Sequence, residues 1–577
     1  MAAAILGLGV IPWFAGNRYT LPGMIAWLGS LGCVAAAVWP AAGRLRWPPV
    51  PVSIKFSGPA VLVLLSIAIG AFFRLHRIHS IPLEMGCDLP LIHANIAGIL
   101  RGEYPIFFES HPGREGLFFY VAAPIAAVGG LSHTSIKVTA ALVGILSIPA
   151  LYWLGREVFD PWTGALAAFL LAISHWHVIL SRVGYRAVLM PLLVALSLIY
   201  LVRGLKTGRY IHFALGAFWV GLGLQSYNAF MVVPPMMGLA LVLSRMWRKR
   251  LAITVDWRHI ALWVFVVLLV ALPLLCYVIE DPQRYIYRVA TRATAIETPL
   301  PNNVAGTWLR NVSKAVAMFN YQGDSIYISN VPRYRQLGFV TGVFFVLGAV
   351  YCVLRRGSRF IWLVWLAFAG LMLPSTLALA FPDEVPSAVR SIGALLVVLL
   401  FPAVGVRVSG HWVREVWSTA LPLGTRWTGG RLLALGVGSA VVVALAAELV
   451  AVYPLYFERY VAAQPLQNQS ISLEMARTID DFADDGRAYI LSAPYWYDGN
   501  AVRAQLVRTP RDWSNELLAL DPGVAPLDDV TGRVLVIVHP DARAALALLE
   551  SSFADYIVLE HRWADGSIAF KAFYGER

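Results

Sequence analysis

Charge is scarce in this sequence. Asp, Glu, Lys and Arg together make only 14% of 577 residues, against about one quarter in ordinary soluble domains, so a standard soluble enzyme is excluded. Cysteine is scarcer still: Cys33, Cys87, Cys276 and Cys352 are scattered, and three of them lie inside apolar runs. That rules out a Cys-rich metal site and argues against a disulfide framework. Internal repeats and low-complexity tracts are absent, and so is any nucleic-acid-binding motif, so no nucleic-acid partner is expected despite the basic balance. The first apolar run, residues 2–16, has no basic segment before it and no clear small-residue cleavage site after it, and reads as a retained span rather than a signal peptide.

What is present is apolar sequence, 58% of the chain, in runs long enough to cross about 30 Å of hydrocarbon as helices. Thirteen spans are expected near 2–16, 20–42, 58–77, 136–155, 162–180, 187–202, 210–226, 229–245, 259–279, 336–354, 360–381, 388–406 and 432–454. The loop charges test this list, because Lys and Arg concentrate in cytoplasmic loops. Arg44, Arg46 and Lys55 follow span two, and Arg156 follows span four. Arg203, Lys206 and Arg209 follow span six, and Arg245, Arg248, Lys249, Arg250 and Arg258 follow span eight. Arg355, Arg356 and Arg359 follow span ten, and Arg407, Arg414, Arg426 and Arg431 follow span twelve. With thirteen spans, all of these clusters fall on one side.

The expected fold is therefore an all-α polytopic membrane protein with a small soluble α/β domain at its C-terminus. Residues 458–577 hold 11 basic and 18 acidic residues, whereas the rest of the chain carries a net charge of +19. Within the tail, Arg487–Ala493 and Arg533–His539 read as strands, and Asp541–Phe553 as a helix behind an Asp N-cap. Tyr556–His561 and Ser567–Phe573 flank Ala564-Asp565-Gly566 as a hairpin. Four regions are expected: 1–57, N-terminal spans and a cytoplasmic loop; 58–406, the membrane module with outer loops near 78–135, 181–186 and 280–335; 407–455, an interfacial segment and the last span; and 456–577, the extracytoplasmic domain. The apolar stretch Gly116–Gly130 reads as a juxtamembrane or re-entrant helix, since a further span there would invert every later loop.

Ionisable groups near membrane depth are costly and mark function. Here they gather in the outer loops: Asp88, then His111, Arg114 and Glu115; Arg182 and Arg186; Tyr227 with Asn228; Asp383, Glu384 and Arg390. A carboxylate with several arginines at one membrane face suits transfer of a sugar from a phosphate carrier to a hydroxyl. The base accepts the hydroxyl proton, and guanidinium forks stabilise the departing phosphate. Blander roles exist for each: Asp88 as a helix N-cap, Arg114 and Glu115 as a local ion pair, Arg182 and Arg186 as snorkelling anchors, Tyr227 as an interface aromatic, and Asp324, Asp383 and Glu384 as solvated loop acids. His93, His111, His175 and His177 have no strong metal-ligand spacing, so no metal site is assigned. The basic excess of the third outer loop, which includes Arg284, Arg288, Arg292 and Arg335, would draw an anionic lipid carrier.

These residues, in this order, resemble a known group. Asp88, Leu100-Arg-Gly, Pro105-Ile-Phe, Gly113-Arg-Glu115, Arg156-Glu-Val-Phe, Ser181-Arg-Val-Gly-Tyr-Arg186, Tyr227, Gly323-Asp324, Asn330, Pro332, Pro386 and Arg390 look like bacterial glycosyltransferases of family 39. These are GT-C enzymes related to protein O-mannosyltransferases and the lipid A aminoarabinose transferase, and the likeness covers roughly residues 58–406. The resemblance implies a polyprenyl-phosphate-linked hexose or pentose donor and a lipid, glycan or protein acceptor. It also implies a site at the outer face of the plasma (inner) membrane and Asp88 as general base. Donor-phosphate candidates are Arg114, Arg182, Arg186 and Arg390, with Glu115, His111 and Tyr227 as further site candidates. The chain departs from the family where its Asp-Glu pair reads Asp88-Leu89, where an Asp is replaced by Arg186, and near Met231. No cofactor is assigned, and a divalent cation stays open. The alternatives are a lipid or polyanion transporter or flippase, and a non-catalytic membrane assembly protein.

Overall fold

A computed structural model describes residues 11–39, 57–110, 113–354, 358–419, 429–482, 486–491, 496–507, 518–520 and 532–576, together with 7, 9 and 493. Eight of its helices are long and apolar enough to cross a membrane: Leu21–Val38, Gly58–Leu75, His133–Val158, Arg186–Thr207, Asn228–Met246, Trp257–Glu280, Ile392–Trp417 and Leu432–Ala463. A ninth is a pair, Pro161–Ala172 and His175–Val183, bent by 57°. Shorter apolar helices, Tyr210–Gly223, Phe339–Leu354 and Ile361–Thr376, occupy three further expected spans. The chain is a polytopic, mostly helical membrane protein. Of the expected span at 2–16, residues 7, 9 and 11–16 are described and include a short 3-10 helix, Ile11–Phe14. The rest of it, the loop residues Arg44, Arg46, Lys55, Arg355, Arg356 and Arg426, and His111 lie outside the described residues.

Local sequence sets the helix ends. Ser132 caps His133–Val158 by accepting from Ser135 N, and Asp160 caps Pro161–Ala172 by accepting from Trp162 N and Thr163 N. Ser174 restarts the chain inside what the sequence presents as one straight span. Its hydroxyl accepts from His177 N, so the second half leaves at a new angle. The helix of span twelve continues as Leu395–Thr419, well beyond 406. Gly348 and Gly405 let two spans touch backbone to backbone: a Cβ on Gly348 would lie 1.8 Å from Phe401 O. The loop near 280–335, read from sequence only as a basic stretch, carries two helices, Pro282–Ala293 and Val304–Ala317. The loop near 78–135 carries Leu89–Leu100, the short antiparallel pair β1 (Phe107–Phe108) with β2 (Arg114–Glu115), and Leu117–Gly129.

The C-terminal sheet follows the expected strands β3 (Arg487–Leu491) and β5 (Arg533–Val538) and the hairpin β6 (Asp555–Arg562) with β7 (Ile568–Glu576). A strand the sequence did not announce, β4 (Leu518–Leu520), adds the edge, in the order β4-β3-β5-β7-β6. β4, β3 and β5 run parallel, and β7 pairs antiparallel with both β5 and β6. One detail is corrected. The helix Arg543–Ser552 begins after Ala542 with no side-chain cap, and the expected capping residue, Asp541, instead donates its backbone N–H to His539 Nδ1.

Candidate functional site

The segment before Asp88 is held by its carbonyls. Buried Lys137 donates to Pro82 O at 2.9 Å and His79 O at 3.4 Å. Arg182, fully buried, donates to Ile81 O at 3.3 Å, Phe73 O at 2.8 Å and the Tyr456 hydroxyl at 2.8 Å. From the C-terminal region, Asn468 accepts from Leu83 N and donates to Ser80 O, both at 2.9 Å. Ser472 then bonds the Glu84 carboxylate. Backbone groups that a loop would otherwise leave to water are thus satisfied by side chains, which fixes the approach to Asp88.

Asp88 occupies the N-cap position of Leu89–Leu100, yet its side chain makes no capping bond. Its Oδ1 accepts from Arg114 Nη2 at 2.8 Å, with the arginine 1% and the aspartate 36% exposed. Among the described residues, Asp88 Oδ2 makes no hydrogen bond. Arg114 sits on β2, whose pairing with β1 carries it under the Asp88 loop, and it also donates to Ser110. Its neighbour Glu115 points the other way and pairs with Arg186, Oε2 to Nε at 3.4 Å, both groups buried. The Arg186 guanidinium lies over the Tyr227 ring, 5.4 Å from its centroid.

These groups border a cavity of about 390 Å³ lined by Asp88, Tyr185, Arg186, Tyr227, Arg288 and Arg390, among others. Arg390 donates to Glu384 Oε2 at 2.7 Å and to Glu384 O at 2.9 Å. Arg292 reaches the same carboxylate at 3.4 Å and Glu297 at 3.0 Å. Arg288 differs from the others: among the described residues no carboxylate pairs with its guanidinium. In the sequence it stands only as one of several basic residues in the loop near 280–335. The signal was present as Arg284, Arg288 and Arg292 at four-residue spacing, one stripe of the helix Pro282–Ala293.

The sequence candidates divide accordingly. Asp88, Arg186, Tyr227 and Arg390 line one cavity. Arg114 and Glu115 stand behind it and touch the residues that line it. Arg182 is not at the cavity and does not snorkel, because its N–H groups are spent on carbonyls and on Tyr456. A phosphate contact there is corrected to a structural one. Asp324, fully buried, accepts from Ile326 N, Ser329 Oγ and Ala388 N and so organises the loop beside the cavity rather than facing solvent.

Electrostatics follow from this arrangement. Burial raises the Asp88 pKa, but Arg114, Arg186 and Arg288 outweigh it and hold the carboxyl below its usual value of 3.8. Three guanidiniums outweigh one desolvation penalty, so Asp88 stays ionised. Burial pushes Glu115 up, with Arg186 opposing. Among the described residues no group of three His, Cys, Asp or Glu side chains converges. The side chains around Asp88 are cationic, so the donor set suits an oxyanion rather than a divalent cation.

Residues 110–277 match the family model described as dolichyl-phosphate-mannose-protein mannosyltransferase. No curated protein matches the chain by sequence. Among solved structures, the chain is similar to ArnT from Cupriavidus metallidurans bound to undecaprenyl phosphate, at 12% identity and a TM-score of 0.54, covering 89% of this chain and 97% of that one. It is also similar to the archaeal oligosaccharyltransferase AglB from Archaeoglobus fulgidus in complex with an inhibitory peptide and a dolichol-phosphate. That match has 13% identity and a TM-score of 0.50, covering 89% of this chain and 74% of that one. The chain thus has the GT-C fold of these membrane glycosyltransferases and, over residues 110–277, matches the mannosyltransferase family model.

Proposed function

We propose that this protein is an integral membrane glycosyltransferase that moves a hexosyl or pentosyl group from a polyprenyl-phosphate carrier to an acceptor hydroxyl. In this reading the site opens at the outer face of the plasma (inner) membrane, residues 58–406 form the catalytic module, and residues 456–577 lie outside the cytoplasm. The observation that carries the reading is one cavity in which a carboxylate, Asp88, shares the wall with Arg186, Arg288 and Arg390. The relatives support it, since ArnT holds undecaprenyl phosphate and AglB a dolichol-phosphate.

The chemistry assigns a task to each group. The sugar C1–O bond to phosphate breaks while C1 bonds to the acceptor oxygen, and the acceptor proton passes to Asp88 Oδ2. The carrier leaves as a phosphate monoester with one more negative charge than the diester donor. Arg186, Arg288 and Arg390 meet that growing charge, and Arg288 does so with its full donor capacity. Arg114 keeps Asp88 ionised and oriented. A carboxylate this acidic is a weak base, which suffices when glycosyl transfer passes through an oxocarbenium-like state and the proton moves late.

The test is transfer by purified protein in liposomes supplied with polyprenyl-phosphate sugars. Wild type should transfer sugar, and Asp88→Asn should lose about 10²–10⁴-fold in turnover. A wild type inert toward every such donor would favour the assembly-protein alternative, and an Asp88→Asn variant at full rate would remove the base.

A further inference from the structure

The loop beside the first cavity has a second cavity at its back. Ile326, Ile328 and Ser329 face the first, while Tyr334, Arg335 and Gln336 of the same loop line another of about 260 Å³. The helix Gly429–Pro454 supplies part of its wall through Ala444, Ala447, Glu448 and Ala451. An adjoining cavity of about 350 Å³ shares Arg335, Gly338 and Phe339 and runs down Val343, Val346 and Leu347. Arg335 stands just before the spanning helix that starts at Phe339, and Val346 lies roughly 10 Å further along it. The paired cavities are therefore polar at the membrane surface and apolar toward its middle. Phe339, Val343, Val346 and Leu347 are open along this face, as groups turned to hydrocarbon are.

The polar end carries unspent charge. The Arg335 guanidinium lies over the Tyr334 and Phe339 rings at 5.4 and 5.5 Å. Its Nε is buried without a hydrogen-bond partner, and among the described residues no carboxylate pairs with it. Glu448 tucks against the first turn of Phe339–Leu354, accepting from Thr341 N at 2.8 Å and from the Thr341 hydroxyl, but among the described residues it meets no cation. No ion pair joins Arg335 and Glu448, although both line this cavity. Gln336 is fully buried, and neither of its amide atoms finds a partner among the described residues. Charges of opposite sign at the edge of hydrocarbon, left apart around an amphipathic cavity, call for a ligand that bridges them.

We propose that this cavity binds one phosphatidylethanolamine molecule, with its phosphate on Arg335, its ammonium on Glu448 and its acyl chains along the Ala444–Ala451 and Val343–Leu347 walls. A singly anionic headgroup would leave Glu448 unpaired and repelled. A choline headgroup has no N–H to donate to that carboxylate. Bound there, the lipid braces from behind the loop that presents Ile326, Ile328 and Ser329 to the first cavity.

The test titrates delipidated, detergent-purified full-length protein with phosphatidylethanolamine, phosphatidylglycerol or phosphatidylcholine and reads bound lipid by native mass spectrometry. The expected result is a one-to-one phosphatidylethanolamine adduct about tenfold tighter than with either other lipid, the value of one charge-assisted hydrogen bond. Arg335→Gln should weaken that adduct by about tenfold on the same grounds, and Glu448→Gln should erase the preference over phosphatidylglycerol. Glu448 also caps a helix, so Ala447→Leu, which fills the cavity without touching a charge, serves as the second variant and should lower retention as well. Asp88→Asn should leave lipid retention unchanged, so this result and the transfer reaction succeed or fail separately. Equal retention of the three lipids by wild type, or retention unmoved by both Arg335→Gln and Ala447→Leu, overturns the proposal.

Discussion

Arg288→Gln separates binding chemistry from folding more cleanly than any other change around the cavity. Arg186 and Arg390 are each tied to a carboxylate, at 3.4 and 2.7 Å, so removing either one also disturbs an ion pair. Arg288 carries no such tie among the described residues, and it already acts on Asp88, Glu115 and Tyr227 through its field. If the donor phosphate rests against it, the variant loses a charge-assisted contact of about 1.5–3 kcal/mol, or roughly 10- to 150-fold in kcat/KM. Charge on the phosphate grows as the carrier departs, so kcat should fall by more than KM rises. The midpoint of thermal unfolding should move by no more than about 2 °C, since no native partner is lost. Arg186→Gln provides the contrast. It strands Glu115 at 4% exposure and should cost up to about 3–5 kcal/mol of stability in addition to activity. The assay is sugar transfer in liposomes over a donor concentration series, paired with a thermal melt of the same preparation. Transfer by Arg288→Gln within twofold of wild type in both kcat and KM would refute the placement of the phosphate.

Three further outcomes are expected. Because Arg114, Arg186 and Arg288 hold Asp88 below 3.8, kcat/KM should show no acid limb from this group at any pH above that value. The Asp88–Arg114 pair contributes stability above the ordinary carboxylate pKa, and that contribution fades as pH falls through the depressed native value. Arg114→Gln should therefore move the acid limb upward, and a profile that does not shift would show that Asp88 is not the titrating base. Asn468→Ala, which frees Ser80 O and Leu83 N, should lower kcat while leaving donor KM near wild type; a change confined to KM would contradict its role in holding the Asp88 loop. A reporter active only in the cytoplasm, fused after Arg577, should stay silent, and a strong signal would invert the topology.

The membrane class, most of the spans and the tail sheet were legible from the residues alone. Each rests on local, periodic information: apolar runs such as Trp257–Glu280, basic clusters after alternate spans, and β-branched runs such as Arg533–Val538. The sequence also brought Asp88, Arg186, Tyr227 and Arg390 into view, because polar groups at the ends of apolar helices stand out against their surroundings. What each arginine does depends on long-range packing. Arg182 and Arg186 are four residues apart in the same motif, yet one turns toward backbone carbonyls and the other toward Glu115 and the cavity. Arg288 looked like one more charge in a basic loop until its helix folded over the Asp88 loop. The reason is physical: a guanidinium takes its role from whichever acceptors the packing of distant segments brings within about 3 Å, and no pattern along a single segment records that meeting.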